Sequence, residues 1–321
     1  MRTWADPAEL NRLSRDPSAC ARDVEDLRVD PRRPFIPEHR TQLYYTPIYR
    51  SLHFEHRLRY NQLFALRTNE YVMMLEEELA NRLLRPLKLR PGARANRAVG
   101  EAIDHLLTEE ERHFRMFADL NRAARPDLYA NGRDRFFSQL PWWTKAMFRF
   151  AAATARRWSF SLWYVIAMEE ASLSLAREME ERPETETLGE IDPVFASVWN
   201  EHRKDELRHL ETEGRLIEEA LGDGAWRRRI DAALFKALLR GVTTPTRGGS
   251  GVKVIRQLVR EMPELQDRER EMIRAVLRLS DHEPFQRSLF NRDMMPVAFG
   301  LYDMIPELAG LGARMPGYER R

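Results

Sequence analysis

Two short runs carry the same pair of residue types at the same spacing, Glu110-x-x-His113 and Glu206-x-x-His209. On a helix, a carboxylate and an imidazole three residues apart share one face and offer an oxygen and a nitrogen donor to a transition-metal ion. A single such run says little in a chain with 50 acidic residues and 8 histidines, because roughly one would arise by chance on a solvated face. Both copies, however, lie on apolar stripes. The first stripe reads Val99, Ile103, Leu106, Glu110, His113, Phe117, Leu120, and the second Phe195, Trp199, His202, Glu206, His209, Leu216. A carboxylate at a core position is costly unless it is paired, and a cation beside imidazoles resolves that cost. His202, Glu206 and His209, spaced four and three, point the same way from one helix.

A two-metal helical bundle needs one further Glu from each of two other helices, because bridging carboxylates hold the cations close while imidazoles fill terminal positions. In the first helical stretch Glu70, Glu76, Glu77 and Glu78 are available. Glu76 is flanked by Val72, Met73, Leu79, Ala80 and Leu83, whereas Glu78 is followed by Asn81, Arg82 and Arg85, so Glu76 is the core-facing choice. In the third apolar block Glu169 and Glu170 compete, and periodicity does not separate them. Asp205 and Glu109 each precede a candidate ligand Glu and are placed to accept the outer N–H of a ligand histidine.

The elements that must position these residues read as helices throughout. Helical periodicity runs from about 56 to 84, stopped by Pro86 and Pro91-Gly92, and again from about 94 to 121. A block from Pro141 to about 181 is long enough for two helices or one kinked helix. Asp192-Pro193 reads as an N-cap followed by proline in the first turn, opening a helix to about 221. Further helical segments occupy about 225–241 and 252–279. The predicted class is all-α, with an irregular N-terminal arm over 1–45 and one helical domain over 46–321. Its metal-binding core spans about 56–222, and extra helices fill about 225–321. His53 and His56 are expected at the surface.

Composition narrows the function. With 52 basic and 50 acidic residues the formal charge is +2, so no nucleic-acid surface is indicated. The single cysteine, Cys20, excludes an intramolecular disulfide framework. The opening residues lack the apolar core of a signal peptide, and the most apolar stretch is interrupted by Glu169 and Glu170, so a cytoplasmic protein with no membrane span is expected.

The order Glu, E-x-x-H, Glu, H-x-x-x-E-x-x-H resembles the p-aminobenzoate N-oxygenase (AurF-like) family of ferritin-like di-iron oxygenases. His202-x-x-x-Glu206-x-x-His209 is its most distinctive part, since ferritins lack the extra histidine. Asn69-Glu70-Tyr71-Val72 ahead of Glu76 resembles the family's run before its first ligand, and Glu170-Ala171-Ser172-Leu173 matches its fourth-ligand region better than Glu169 does. The resemblance covers about 58–215. It implies two iron ions held by Glu76, Glu110, His113, Glu170, His202, Glu206 and His209, with O2 as co-substrate and an external electron donor such as a reductase or ferredoxin. It further implies a homodimer and a small-molecule substrate, with N-oxygenation of an arylamine first and C-hydroxylation second. The competing class is a ferritin-like ferroxidase, disfavoured by chain length and by His202.

Overall fold

A computed structural model describes residues 3–139, 142–221 and 224–319; Met1, Arg2 and Pro141 lie outside these, as do the side chains at 79, 80, 143, 144, 220, 221 and 241–243. The described α-helices are, in order, α1 (Pro7–Ser14), α2 (Pro47–Ser51), α3 (Phe54–Leu75), α4 (Asn81–Leu87), α5 (Pro91–Ala95), α6 (Arg97–Ala124) and α7 (Trp142–Thr154). They continue with α8 (Phe160–Glu181), α9 (Pro193–Leu221), α10 (Ala225–Thr243), α11 (Ser250–Glu261), α12 (Glu269–Leu277), α13 (Glu283–Leu289) and α14 (Pro296–Asp303). Among the described residues only two isolated β-bridges occur, and no helix is long and apolar enough to cross a membrane. The all-α class holds. α3, α6, α8 and α9 form the ferritin-like four-helix core, with α8 against α9 and α6 against both α3 and α9.

Local chemistry sets the helix ends. Asp192 Oδ1 accepts from the backbone N–H of Val194 at 2.9 Å and of Phe195 at 3.1 Å, so the predicted cap opens α9. Its other oxygen accepts from Asp30 N–H at 2.8 Å, which ties the N-terminal arm to the same point. Asn96 caps α6 through Ala98 N–H at 3.0 Å. Beyond α6 the chain turns at Asn131 and Gly132, whose φ values of 59° and 71° are left-handed, a conformation asparagine tolerates and glycine favours.

Three features depart from the sequence reading. The arm is not irregular throughout, because α1 packs on α6, where Asn11 Nδ2 donates to Ala98 O at 2.9 Å. Between α3 and α4, residues Glu76–Ala80 form a π-helical turn. Such a turn inserts one residue into the helical register and shifts the phase of the residues beyond it. Glu76 and Glu78 are therefore both buried while Glu77 is exposed, and Glu78 lies 3.3 Å from Arg82 and 3.5 Å from Lys145. His56 is also buried rather than at the surface, with Nε2 at 2.9 Å from Glu264.

Glu70, passed over as a metal ligand, fastens the connection between α6 and α7. Its carboxylate accepts from Tyr129 Oη at 2.6 Å and from the backbone N–H groups of Phe136, Phe137 and Ser138 at 2.7, 2.7 and 2.6 Å. Glu70→Ala leaves these donors without their acceptor, and the expected loss is about 3 kcal/mol in a urea unfolding titration with iron content unchanged. A variant as stable as the wild type would show that this connection is not held by Glu70.

Candidate metal centre

The two E-x-x-H pairs meet across the α6–α9 interface, fully buried. Glu206 stands between the imidazoles: Oε1 is 3.2 Å from His113 Nδ1 and 2.9 Å from His202 Nε2, and Oε2 is 3.4 Å from His209 Nδ1. Glu76 Oε1 lies 3.5 Å from His202 Nε2 and 3.9 Å from His113 Nδ1, and Glu110 Oε1 lies 3.4 Å from His209 Nδ1. Donor atoms of these residues converge within 4.8 Å in three overlapping groups, Glu76 with His113 and His202, His113 with Glu206 and His209, and Glu110 with Glu169 and His209; a fourth group, Cys20 with Glu109 and Asp205, lies on the outer side of the histidines. The cluster thus has two poles, with Glu206 facing both.

From α8 it is Glu169 that reaches the cluster. Its carboxylate converges with Glu110 and His209 and lies close enough to Glu206 for the two charges to repel. Glu170 does not point at the cluster. Its oxygens accept from Val297 N–H at 2.7 Å and Ala298 N–H at 2.8 Å, in the first turn of α14, where a helix N-terminus favours an anion. The structure therefore turns Glu169, and not the expected Glu170, toward the cluster. Adjacent residues on a helix point about 100° apart, so α8 directs Glu169 into the bundle and Glu170 toward the C-terminal helices. The pair separates by experiment. Glu169→Ala is expected to lower iron content, whereas Glu170→Ala should retain iron and lose about 2 kcal/mol of stability from the undocked α14. The reverse pattern in metal analysis and thermal melts would restore Glu170 to the centre.

The atoms aimed inward are those a cation would satisfy. Glu76 Oε2, both oxygens of Glu110 and of Glu206, Nδ1 of His113 and His209, and both ring nitrogens of His202 are buried without a hydrogen-bond partner. The outer nitrogens of two rings are engaged. His113 Nε2 donates to Asp205 Oδ2 at 2.9 Å, and His209 Nε2 donates to Glu109 Oε2 at 3.0 Å. An ionised carboxylate only accepts, so these contacts place the proton on Nε2 and turn the Nδ1 lone pair toward the poles. Asp205 also takes Ala21 N–H at 3.0 Å and ion pairs with Arg112 and Arg208. Arg208 in turn bridges to Glu109 at 2.7 Å and to Ala19 O at 2.7 Å, so the N-terminal arm closes over the acids that orient the histidines.

Electrostatics fit a cation site. Burial drives the carboxyls of Glu110 and Glu169 well above the usual range, reinforced by neighbouring acids. Glu206 is held well below it: burial opposes ionisation, but His202 and His209 outweigh it. Burial alone would lower His113, yet the hydrogen bond to Asp205 and the negative charges of Glu206 and Glu76 raise it to about 9. The donor set gathered here, four carboxylates and three imidazoles, suits two divalent ions of the iron type. Phe117 and Trp199 pack against His202, with ring centroids 5.0 and 5.8 Å away, and wall the cluster on one side.

Sequence comparison extends the motif-level resemblance. None of the curated proteins matches the chain. The sequence does match the family described as P-aminobenzoate N-oxygenase AurF over residues 10–280. That match is wider than the 58–215 the motifs covered, and it takes in most of the arm that contacts Asp205 and Arg208 and the helices through α12. Helical architecture, the paired E-x-x-H runs with His202 and the span of this match lead to one conclusion: the chain belongs to the p-aminobenzoate N-oxygenase (AurF) family of di-iron oxygenases.

Proposed function

We propose that the protein is a cytoplasmic, O2-dependent N-oxygenase of a small arylamine, with two irons held by Glu76, Glu110, His113, Glu169, His202, Glu206 and His209. The observation that carries this reading is the polarity of the histidines: the outer nitrogens of His113 and His209 are held by Asp205 and Glu109 while the inner ones face carboxylates with no hydrogen-bond partner. Bound there, a pair of irons would supply the reduction of O2 and the transfer of oxygen to the substrate. The protein's own contribution is orientation and exclusion of water. Asp205 and Glu109 fix the ring tautomers, Arg208 holds both acids in place, and Phe117 and Trp199 keep the His202 side dry. The proposal includes an external electron donor, a reductase or ferredoxin, and a homodimer, for which the exposed Trp142 and Phe150 of α7 offer apolar surface.

Isotope labelling tests the reading. Iron-loaded, chemically reduced protein given labelled O2 and an arylamine should yield an oxidised amine carrying the label. O2 consumption that deposits ferric mineral and leaves a panel of arylamines untouched would favour the ferroxidase alternative.

A further inference from the structure

Glu213 lies on α9 one turn beyond His209, fully buried, and neither of its oxygens has a hydrogen-bond partner. The charged groups that bear on it are His209, Glu110, Glu206 and Glu169, and no lysine or arginine is among them in the described residues. The proposed centre leaves it without a task. Two divalent irons would be balanced by Glu76, Glu110, Glu169 and Glu206, while Asp205 and Glu109 already face Arg112 and Arg208. Nor does Glu213 fall among the groups whose donor atoms converge within 4.8 Å. Tyr302, the nearby phenol on α14, spends its hydroxyl proton on Trp163 O. A fifth acid at the cluster, unpaired and out of water, is explained by a partner that arrives with the ligand.

We propose that Glu213 is a substrate-binding residue that accepts the N–H donors of an amine substrate beside the metal centre. This rests on the N-oxygenase reading and deepens it by naming the group that holds the amine. An arylamine presents N–H donors and a nitrogen lone pair, and a carboxyl group offers an oxygen that accepts from the first in either protonation state. Residues four apart on a helix have Cβ atoms roughly 6 Å apart, so a nitrogen held at Glu213 sits next to the His209 pole. The reacting atom of an N-oxygenation is that nitrogen.

Binding equilibria on iron-loaded protein test this with p-aminobenzoate and benzoate as probes, in the wild type, Glu213→Gln and Glu213→Leu. Wild type should prefer p-aminobenzoate by about tenfold or more, Gln should keep part of the preference through its carbonyl oxygen, and Leu should abolish it. Iron content should stay at the wild-type level in both variants, and the thermal midpoint of the Leu variant should equal or exceed that of wild type. A wild type that binds both probes equally, a Leu variant that keeps the preference, or a loss of iron on substitution overturns the assignment. The N-oxygenase reading fails separately, when no amine is oxygenated by wild-type protein whatever its binding preference.

Discussion

Glu206→Ala is expected to purify with well under one iron per chain and without measurable oxygenase turnover, while keeping its helical circular dichroism. No other side chain in the cluster faces both poles: its two oxygens lie within 3.4 Å of three different imidazoles. Removing it leaves His113, His202 and His209 with less negative charge to offset a cation, and removes the carboxylate that faces both poles of the cluster. The helix itself loses little, since alanine is the best helix former and the backbone bonds of α9 are untouched. Retention of two irons and full turnover in this variant would remove Glu206 from the centre.

Asp205→Ala is expected to weaken iron binding about 10- to 100-fold although Asp205 is not one of the proposed ligands but the acid that holds His113. It also should lose about 3–5 kcal/mol of stability. The side chain accepts at once from His113, from Ala21 N–H and from Arg112 and Arg208, all within the buried layer between α6, α9 and the arm. Its removal frees the His113 ring to rotate and strands the Arg208 guanidinium. The pH dependence derives from the direction of its shift. Burial opposes ionisation of Asp205, but the hydrogen bond and charge of His113, the Ala21 amide and Arg112 hold its carboxyl far below the usual range. A depressed folded-state value contributes stability above the unfolded value of about 4 and loses it as the pH falls further. The gap between wild type and Asp205→Ala in denaturant melts should therefore be full at neutral pH and narrow below about pH 4. A gap that is constant across that window would mean the carboxylate charge is not what holds the arm to the bundle.

The parts of this site that are legible in sequence are those where one helix has one buried face. On α6 and α9 the four-and-three spacing marks Glu110, His113, His202, Glu206 and His209, and the acids at 109 and 205 sit one position earlier, where they reach the outer ring nitrogens. α8 is different. It is covered by the bundle on one side and by α10 and α14 on the other, so Glu169 and Glu170 are both buried and the apolar pattern around them carries no direction. Nothing local to α8 announces that Glu170 will cap α14, because that contact joins residues more than a hundred positions apart. Periodicity misplaces Glu78 for a local reason, the π-helical turn that breaks the repeat used to read it. Glu213 lies on the same stripe as His209 but between it and Leu216, a position where an acid reads as a lapse in the pattern until its lack of partners is seen. α13 and α14 do not stand out as separate helices in the sequence: each is short, and the prolines that open them, Pro284 and Pro296, read equally well as turn residues.

A two-iron centre within the four-helix core is tested most directly by metal analysis of aerobically purified protein. About two irons per chain are expected in the wild type. Iron should fall toward zero in a protein carrying both His113→Ala and His209→Ala, with helical content preserved in each. Folded wild-type protein that takes up no iron when reconstituted anaerobically with ferrous salt would contradict the centre.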